Sequence, residues 1–334
     1  MAERKPDVVV VTGASAGLGR AIVREFAQQG AKIGLLARGR DRLEDAAAEV
    51  REMGGQALVL VVDVADAEAV ERAAAEVESR FGPIDIWINN AMATVFSPIW
   101  DMTAEEYRRV TEVTYLGYVH GTLAALKRMK PRNRGTIVQV GSALAHRGIP
   151  LQSAYCASKH AIKGFTESLI SELIHEKLDI HVTMVEMPAL NTPQFGWGRS
   201  RMPKQAQPVP PIFQPELGAK AVHWAAYHRR REWWVAWPTV KTILGERLAA
   251  GYVDKRAASD AWEGQMIDEP ADPNRPDNLF EPVPGHQAAH GTFDRRAKPW
   301  SAEVWLDTHR KELLATAAGV GLAAVAVASA MRRR

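Results

Sequence analysis

Three side chains near the middle of the sequence have types and spacing suited to proton transfer: Ser142, Tyr155 and Lys159. Tyr155 and Lys159 are four residues apart, so on a helix they share a face. A phenol has a reference pKa of about 10 and is a poor acid or base at neutral pH. An ammonium beside it favours the phenolate and brings the tyrosine towards working range. Ser142 closes an apolar run, Gly135-Thr-Ile-Val-Gln-Val-Gly-Ser142, that reads as a strand. A hydroxyl at that strand end can bond a substrate oxygen while Tyr155 exchanges its proton. Such a set suits interconversion of an alcohol and a carbonyl. The Tyr-x-x-x-Lys spacing alone is common in ordinary helices, so the elements that position it must decide.

Those elements alternate. Asp7 to Thr12 is a short apolar run, as in a strand buried on both faces. It leads into Gly13-Ala-Ser15-Ala16-Gly17-Leu18-Gly19 and an amphipathic stretch from Arg20 to Gln29. Strand, glycine-rich turn and helix in that order suit a phosphate site: Gly13 for the tight turn, Gly17 for close approach of backbone amides, Gly19 for helix packing. A second strand, Ala31 to Ala37, closes at Arg38-Gly39-Arg40 with no acidic residue before Asp41. This position meets the adenosine ribose, where an acidic residue suits NAD and arginine suits the 2′-phosphate of NADP. Arg38 and Arg40 therefore favour NADP(H) over NAD(H). Further helix and strand patterns follow. Strand Ala57 to Val62 ends at Asp63-Val64, with Asp63 placed to contact the adenine, and strand Ile84 to Ile88 ends at Asn89-Asn90-Ala91. Thr103 to Met129 reads as one long helix opened by a Thr103–Glu106 capping box. Strand Ile180 to Val185 runs into Pro188 and Thr192, then a long loop to about Pro215 read as a substrate lid. The pattern predicts an α/β fold: a doubly wound parallel sheet with ligands beyond the C-terminal strand ends.

Composition sets bounds. The chain has 334 residues, 46% hydrophobic and 24% charged, which suits a globular protein with a sizeable core. A net charge of +3 gives no case for nucleic acid. Cys156 is the single cysteine, so an intrachain disulfide is excluded and a reducing compartment is expected. The N-terminus has no apolar stretch of the secretory kind.

Together Thr12-Gly-Ala-Ser-Ala-Gly-Leu-Gly19, Asp63, Asn89-Asn-Ala91, Ser142, Tyr155 and Lys159 resemble the short-chain dehydrogenase/reductase family over roughly residues 5–250. The resemblance implies a Rossmann-type sheet and an NAD(P)(H) cofactor. It implies Tyr155 as acid/base, Lys159 lowering its pKa and holding the nicotinamide ribose, and Ser142 orienting the substrate oxygen. Pro188 and Thr192 match a stretch near the nicotinamide carboxamide. The motifs depart from the family at three places. Met92 stands for a glycine, and Ala189 follows Pro188 where a glycine is usual. Thr114 stands where the family often has a catalytic Asn that helps hold a water in the proton relay to the lysine.

The expected function is an NADP(H)-dependent oxidoreductase acting on a small-molecule carbonyl or secondary alcohol, with homo-oligomers expected. The rival is an NADP(H)-binding sensor or scaffold with little turnover, motivated by Thr114 and Met92. A pure sensor need not keep Ser142, Tyr155 and Lys159. Three segments are expected: a catalytic domain over 1–250, a Pro-rich docking arm over 251–312 and an apolar helix over 313–334. His286 and His290 in the arm are four apart but have no evident carboxylate partner, so no metal is assigned. Leu313 to Met331 contains no charged residue, and as a helix would be about 28 Å long, close to a bilayer core. Flanking basic residues favour the cytoplasmic side, so the expectation is a C-terminal membrane anchor with a cytoplasmic catalytic domain.

Overall fold

The computed structural model describes residues 6–286, 288–310, 312, 313 and 316. Seven parallel strands form the central sheet: β1 Val8–Thr12, β2 Lys32–Ala37, β3 Gln56–Val61, β4 Ile86–Asn89, β5 Gly135–Ser142, β6 Ile180–Met187 and β7 Glu232–Trp234. Their spatial order is β3-β2-β1-β4-β5-β6-β7. The order reverses between β1 and β4, and in such sheets the crevice beyond that switch point holds the ligand. Every residue of β1 and β4 is buried, because helices cover both faces. One core packs Ile22, Phe26, Leu35 and Val222 on one face, and a second packs Val10, Leu60, Trp87 and Ile137 on the other.

The crossovers are helices α1 Gly17–Ala27, α2 Arg40–Glu52 and α3 Ala67–Phe81 in the first half. The segment expected as one helix divides: α4 Ala104–Thr111, a π-helical turn Glu112–Leu116, then α5 Gly117–Met129. The Thr103–Glu106 capping box opens α4 as expected. Helix α6 Ser153–His175 follows β5 and carries Tyr155 and Lys159 in its first two turns. Helix α7 Pro215–Tyr227 precedes β7, and α8 Ala236–Arg256 follows it, running across the expected boundary at residue 250.

Beyond α8 the chain doubles back. Met266–Pro270 pairs antiparallel with Lys204–Ala206 from the long loop after β6. Residues 271–286 and 288–300 then run as an extended arm across the C-terminal strand ends. Among the described residues no helix is long and apolar enough to cross a membrane. The apolar tail expected as an anchor lies outside the described residues, apart from Leu313 and Thr316.

Candidate active site and dinucleotide groove

A cavity of about 820 Å³ opens along the C-terminal strand ends. Every residue expected to bind cofactor or act in catalysis lines it, except Arg40 and Thr114. At one end lies the turn after β1. Gly13 has φ +67°, and a Cβ at Gly19 would stand 2.0 Å from the Gly13 carbonyl oxygen, so only glycine permits this turn against α1. The Asn90 side chain braces the turn by donating to the Thr12 carbonyl at 2.9 Å, and the Thr12 hydroxyl accepts from the Asn90 and Ala91 amides. Asn90 thus lines the cavity, but its amide is spent on shaping the turn.

At the end of β2 the expectation needs correcting. Arg40 points to solvent, 67% exposed, and stands 3.8 Å from Glu44 one helical turn on. Arg38 does line the cavity, but its guanidinium donates to the carbonyl oxygens of Phe280 (2.6 Å), Leu279 (3.4 Å) and Asn278 in the arm. The second arginine in the cavity is Arg42, in the first turn of α2. Its guanidinium lies 4.5 Å from the Trp197 ring centre, Nε donates to the Gly285 carbonyl at 2.9 Å, and Nη2 is buried with no hydrogen-bond partner. Burial, then the neighbouring Arg38, lowers the Arg42 pKa. Asp63 accepts from the Ala65 amide (3.0 Å) and from Arg109 (2.5 Å), a residue the sequence reading passed over.

At the other end, Ser142, Tyr155 and Lys159 come together between β5 and α6. The Ser142 hydroxyl accepts from the Leu144 amide at 3.1 Å, leaving its own proton to donate. Burial raises the Tyr155 phenol above its ordinary value, and the Ser142 hydroxyl draws it partly back. The net shift is upward, with burial as its largest cause. Lys159 Nζ lies 5.5 Å from the centre of the Tyr155 ring and is held elsewhere. It donates to the Val140 carbonyl (2.7 Å) and to the Tyr118 hydroxyl (3.0 Å). Tyr118 closes the triangle by donating to the same carbonyl at 2.9 Å. Burial of the whole ammonium, opposed by Glu186, lowers Lys159 to about 7.

Thr114 does not act as expected. It is fully buried, and its hydroxyl accepts from the Ala93 amide at 3.0 Å and donates to the Ala93 carbonyl at 2.9 Å. It pins the loop after β4 and has no hydroxyl proton left to hold a relay water. Tyr118, one turn further along, is the residue from this helix that reaches Lys159.

Behind Ser142 lies a cluster that sequence reading missed. Glu186 on β6 has 0% exposure, and a side chain at Gly141 would run into its carboxylate. His146 Nε2 stands 2.8 Å from Glu232 and 3.5 Å from Glu186. Burial alone would depress this imidazole, but the two carboxylates outweigh it and raise its pKa to about 9. The three ligand atoms lie within 4.8 Å of one another, close enough for a cation, yet a protonated imidazole already supplies the countercharge. The histidines of the arm also depart from expectation, since both have carboxylate partners. His286 pairs with Asp45 at 2.7 Å, and His290 sits 2.8 Å from both Glu216 and Asp294.

The groove suits a dinucleotide on its own features: a glycine turn at a helix N-terminus and an orphaned guanidinium nitrogen one strand away. Comparisons with known proteins agree. The family model "short chain dehydrogenase" matches residues 7–200. An uncharacterized oxidoreductase, YxnA, of Bacillus subtilis (strain 168) is 31% identical over 333 residues, covering 98% of this chain and 92% of its own. A 3-dehydrosphinganine reductase of Danio rerio is 32% identical over 222 residues, 64% of this chain and 66% of its own. An alcohol dehydrogenase from the archaeon Thermococcus sibiricus, solved with 5-hydroxy-NADP, is similar with a TM-score of 0.60 and 30% identity, covering 68% of this chain and 95% of that one. The chain belongs to the short-chain dehydrogenase family, and is an oxidoreductase acting on CH–OH and C=O groups.

Proposed function

We propose that the protein is an NADP(H)-dependent oxidoreductase that interconverts an apolar ketone and its secondary alcohol, with Tyr155 as acid/base. The observation that carries this reading is the placing of two kinds of group in one cavity: Ser142, Tyr155 and Lys159 at one end, Arg38 and Arg42 at the other. The bound nicotinamide supplies or accepts the hydride. In the reducing direction Ser142 donates a hydrogen bond to the substrate oxygen and fixes its distance from Tyr155. The Tyr155 phenol gives its proton to that oxygen as the carbonyl carbon becomes tetrahedral. Lys159, 5.5 Å from the Tyr155 ring centre, favours the phenolate when it carries its proton and returns a proton drawn from solvent. Tyr118 holds the Lys159 ammonium in register without touching substrate.

At the opposite end, Arg42 and Arg38 are the candidates to pair with the 2′-phosphate, a strong contact because both partners are charged. Asp63 and Val64 border the adenine, and Pro188 and Thr192 the carboxamide. The rest of the cavity lining is mixed: Leu144, Ile149, Phe195, Val209 and Val253 give apolar surface, whose share favours an apolar substrate, and Arg147, Lys241, Arg256 and Asp260 add charge. The names of the alcohol dehydrogenase and the 3-dehydrosphinganine reductase accord with CH–OH/C=O chemistry. The test is NADPH oxidation against a panel of apolar ketones. Consumption of NADPH matched by alcohol formed is expected, and Tyr155→Phe should slow it by about 10²–10⁴-fold. Turnover of wild type and variant at one rate would remove the mechanism.

The anchor reading of residues 313–331 rests on the sequence. Sedimentation of the full chain with membranes at high salt, and its loss in a chain ending at Glu312, is the expected outcome. Equal behaviour of both would remove it.

A further inference from the structure

Residues 278–286 and 288–291 cross the open edge of the dinucleotide groove, and their contacts with Arg38, Arg42 and the Gly17 amide run through backbone carbonyls. Arg38 donates to the carbonyls of Asn278, Leu279 and Phe280. Arg42 donates to Gly285, and the Gly17 amide to the Ala288 carbonyl at 3.2 Å. Arg109 ties Leu279 (3.0 Å) to Asp63 (2.5 Å). The segment therefore touches Arg38 beyond β2 and the start of α1 directly, and reaches Asp63 beyond β3 through Arg109.

It is anchored at both ends by residues that, Phe195 apart, do not line the cavity. Upstream, Arg275 donates to the carbonyls of Gly198 (2.7 Å) and Phe195 (3.3 Å), and Asp277 pairs with Arg199 at 2.8 Å. Leu279 is fully buried in the core beneath. Downstream, Asn191 accepts from the Gly291 amide (3.2 Å) and, through its side chain, from the Phe293 amide (3.0 Å). Between these anchors Asn278, Pro282 and Val283 face the cavity, which continues beneath them to the glycine turn. The segment roofs the groove at Asn278, Pro282 and Val283, and only at the Gly17 amide does its Ala288 carbonyl take a donor of the glycine turn, a contact that a bound phosphate has to displace.

On the reading proposed above, we infer that residues 278–286 and 288–291 form a strap that closes over the adenosine–phosphate half of NADP(H), so that the arm supplies the fourth wall of the cofactor site. The coupling runs through the arginines. A guanidinium carries five donors, and Arg42 Nη2 is buried with none of its own satisfied. Burial lowers the pKa of both Arg38 and Arg42, so both cations gain from an anion brought beneath the strap. A phosphate there and the arm carbonyls above are then bridged by the same side chains. Binding the phosphate and closing the strap favour each other, as linkage requires. The strap has to part for the dinucleotide to leave.

Hydrogen exchange of the full chain, with and without NADPH, tests this. Protection is expected in two regions together, Gly13 to Gly19 and residues 278–291, with weaker protection of the strap by NADH. The second arm is the Arg275→Ala, Asp277→Ala double variant, which loosens the upstream anchor outside the cavity. Its release of NADPH, followed by cofactor fluorescence, should be about tenfold faster than wild type, with a smaller change in association. Protection confined to the glycine turn, or faster exchange of 278–291 on adding NADPH, would overturn the strap and leave the cofactor reading standing. Unchanged release from a folded double variant would overturn it too. Protection in neither region would overturn the cofactor reading and the strap with it.

Discussion

The two ends of the cavity are built on different principles. At the catalytic end each polar group sits on a regular element, and side chains hold side chains or strand carbonyls: Ser142 at the end of β5, Lys159 on α6, Tyr118 on α5. At the adenosine end the strand ends supply arginines, but what holds them is the backbone of an irregular arm more than 200 positions away, as in the Arg38–Phe280 contact at |i−j| = 242. The catalytic end is rigid because it is local to packed elements. The adenosine end is assembled by an irregular segment that is pinned at Leu279 and Ala289 and whose described residues between them lie outside any helix or strand, and such segments open at lower free energy than packed elements. A reaction needs fixed geometry at the bond being made. A cofactor that enters and leaves needs a site that can part.

The largest expected effect is on the rigid side. His146→Ala leaves Glu186 buried without its imidazolium and should cost about 3–5 kcal/mol, read by denaturant unfolding. The pH dependence has a definite sign. The folded pKa of His146, about 9, lies above its ordinary 6.5, so its contribution is full below pH 6.5 and is lost as pH rises through 9. Wild type should lose stability across that window, and the variant should lose less. A parallel fall in both would show that the cluster is not what titrates.

Tyr118→Phe comes next. It removes one of the two acceptors of the Lys159 ammonium while keeping the ring. The lysine pKa should fall below its present value of about 7, and the matching limb of the kcat–pH profile should move to lower pH. At neutral pH kcat should drop about tenfold, the worth of a hydrogen bond to a charged group. An unmoved pH profile with lowered kcat would assign Tyr118 a purely structural part.

Comparable in size is the discrimination at the adenosine end. Arg42→Ala should weaken NADPH by about 1.5–3 kcal/mol and NADH much less, measured by titration of each cofactor. Arg40→Ala should change neither by more than about 0.5 kcal/mol, since an exposed pair of this kind contributes little. Equal losses for NADPH and NADH in Arg42→Ala would withdraw the phosphate assignment.

The same contrast explains what could be read in the sequence. The parallel sheet, the glycine turn, the capping box and the Ser142, Tyr155, Lys159 set are written in short-range periodicity and spacing. Local spacing also misled. Counting from the strand end selects Arg40, but α2 starts there, and two residues of helical rotation carry Arg42 inward instead. The π-helical turn at Glu112–Leu116 places Thr114 against Ala93 and Tyr118 against Lys159, a shift in phase that hydrophobic pattern does not signal. Helix α8 was passed over because Trp237, Leu248 and Tyr252 are exposed on it while Thr239 is buried, which blurs its amphipathic pattern. The arm is legible as a Pro-rich segment, but its docking place over Arg38 and Arg42 is not, because those contacts use carbonyl oxygens, which every residue carries.

The division of labour between the two ends is tested most directly by titrating NADPH into Tyr155→Phe and following turnover in the same sample. The expected result is a dissociation constant close to that of wild type, with turnover of an apolar ketone lowered by about 10²–10⁴-fold. Turnover retained at the wild-type rate with NADPH bound would contradict the account.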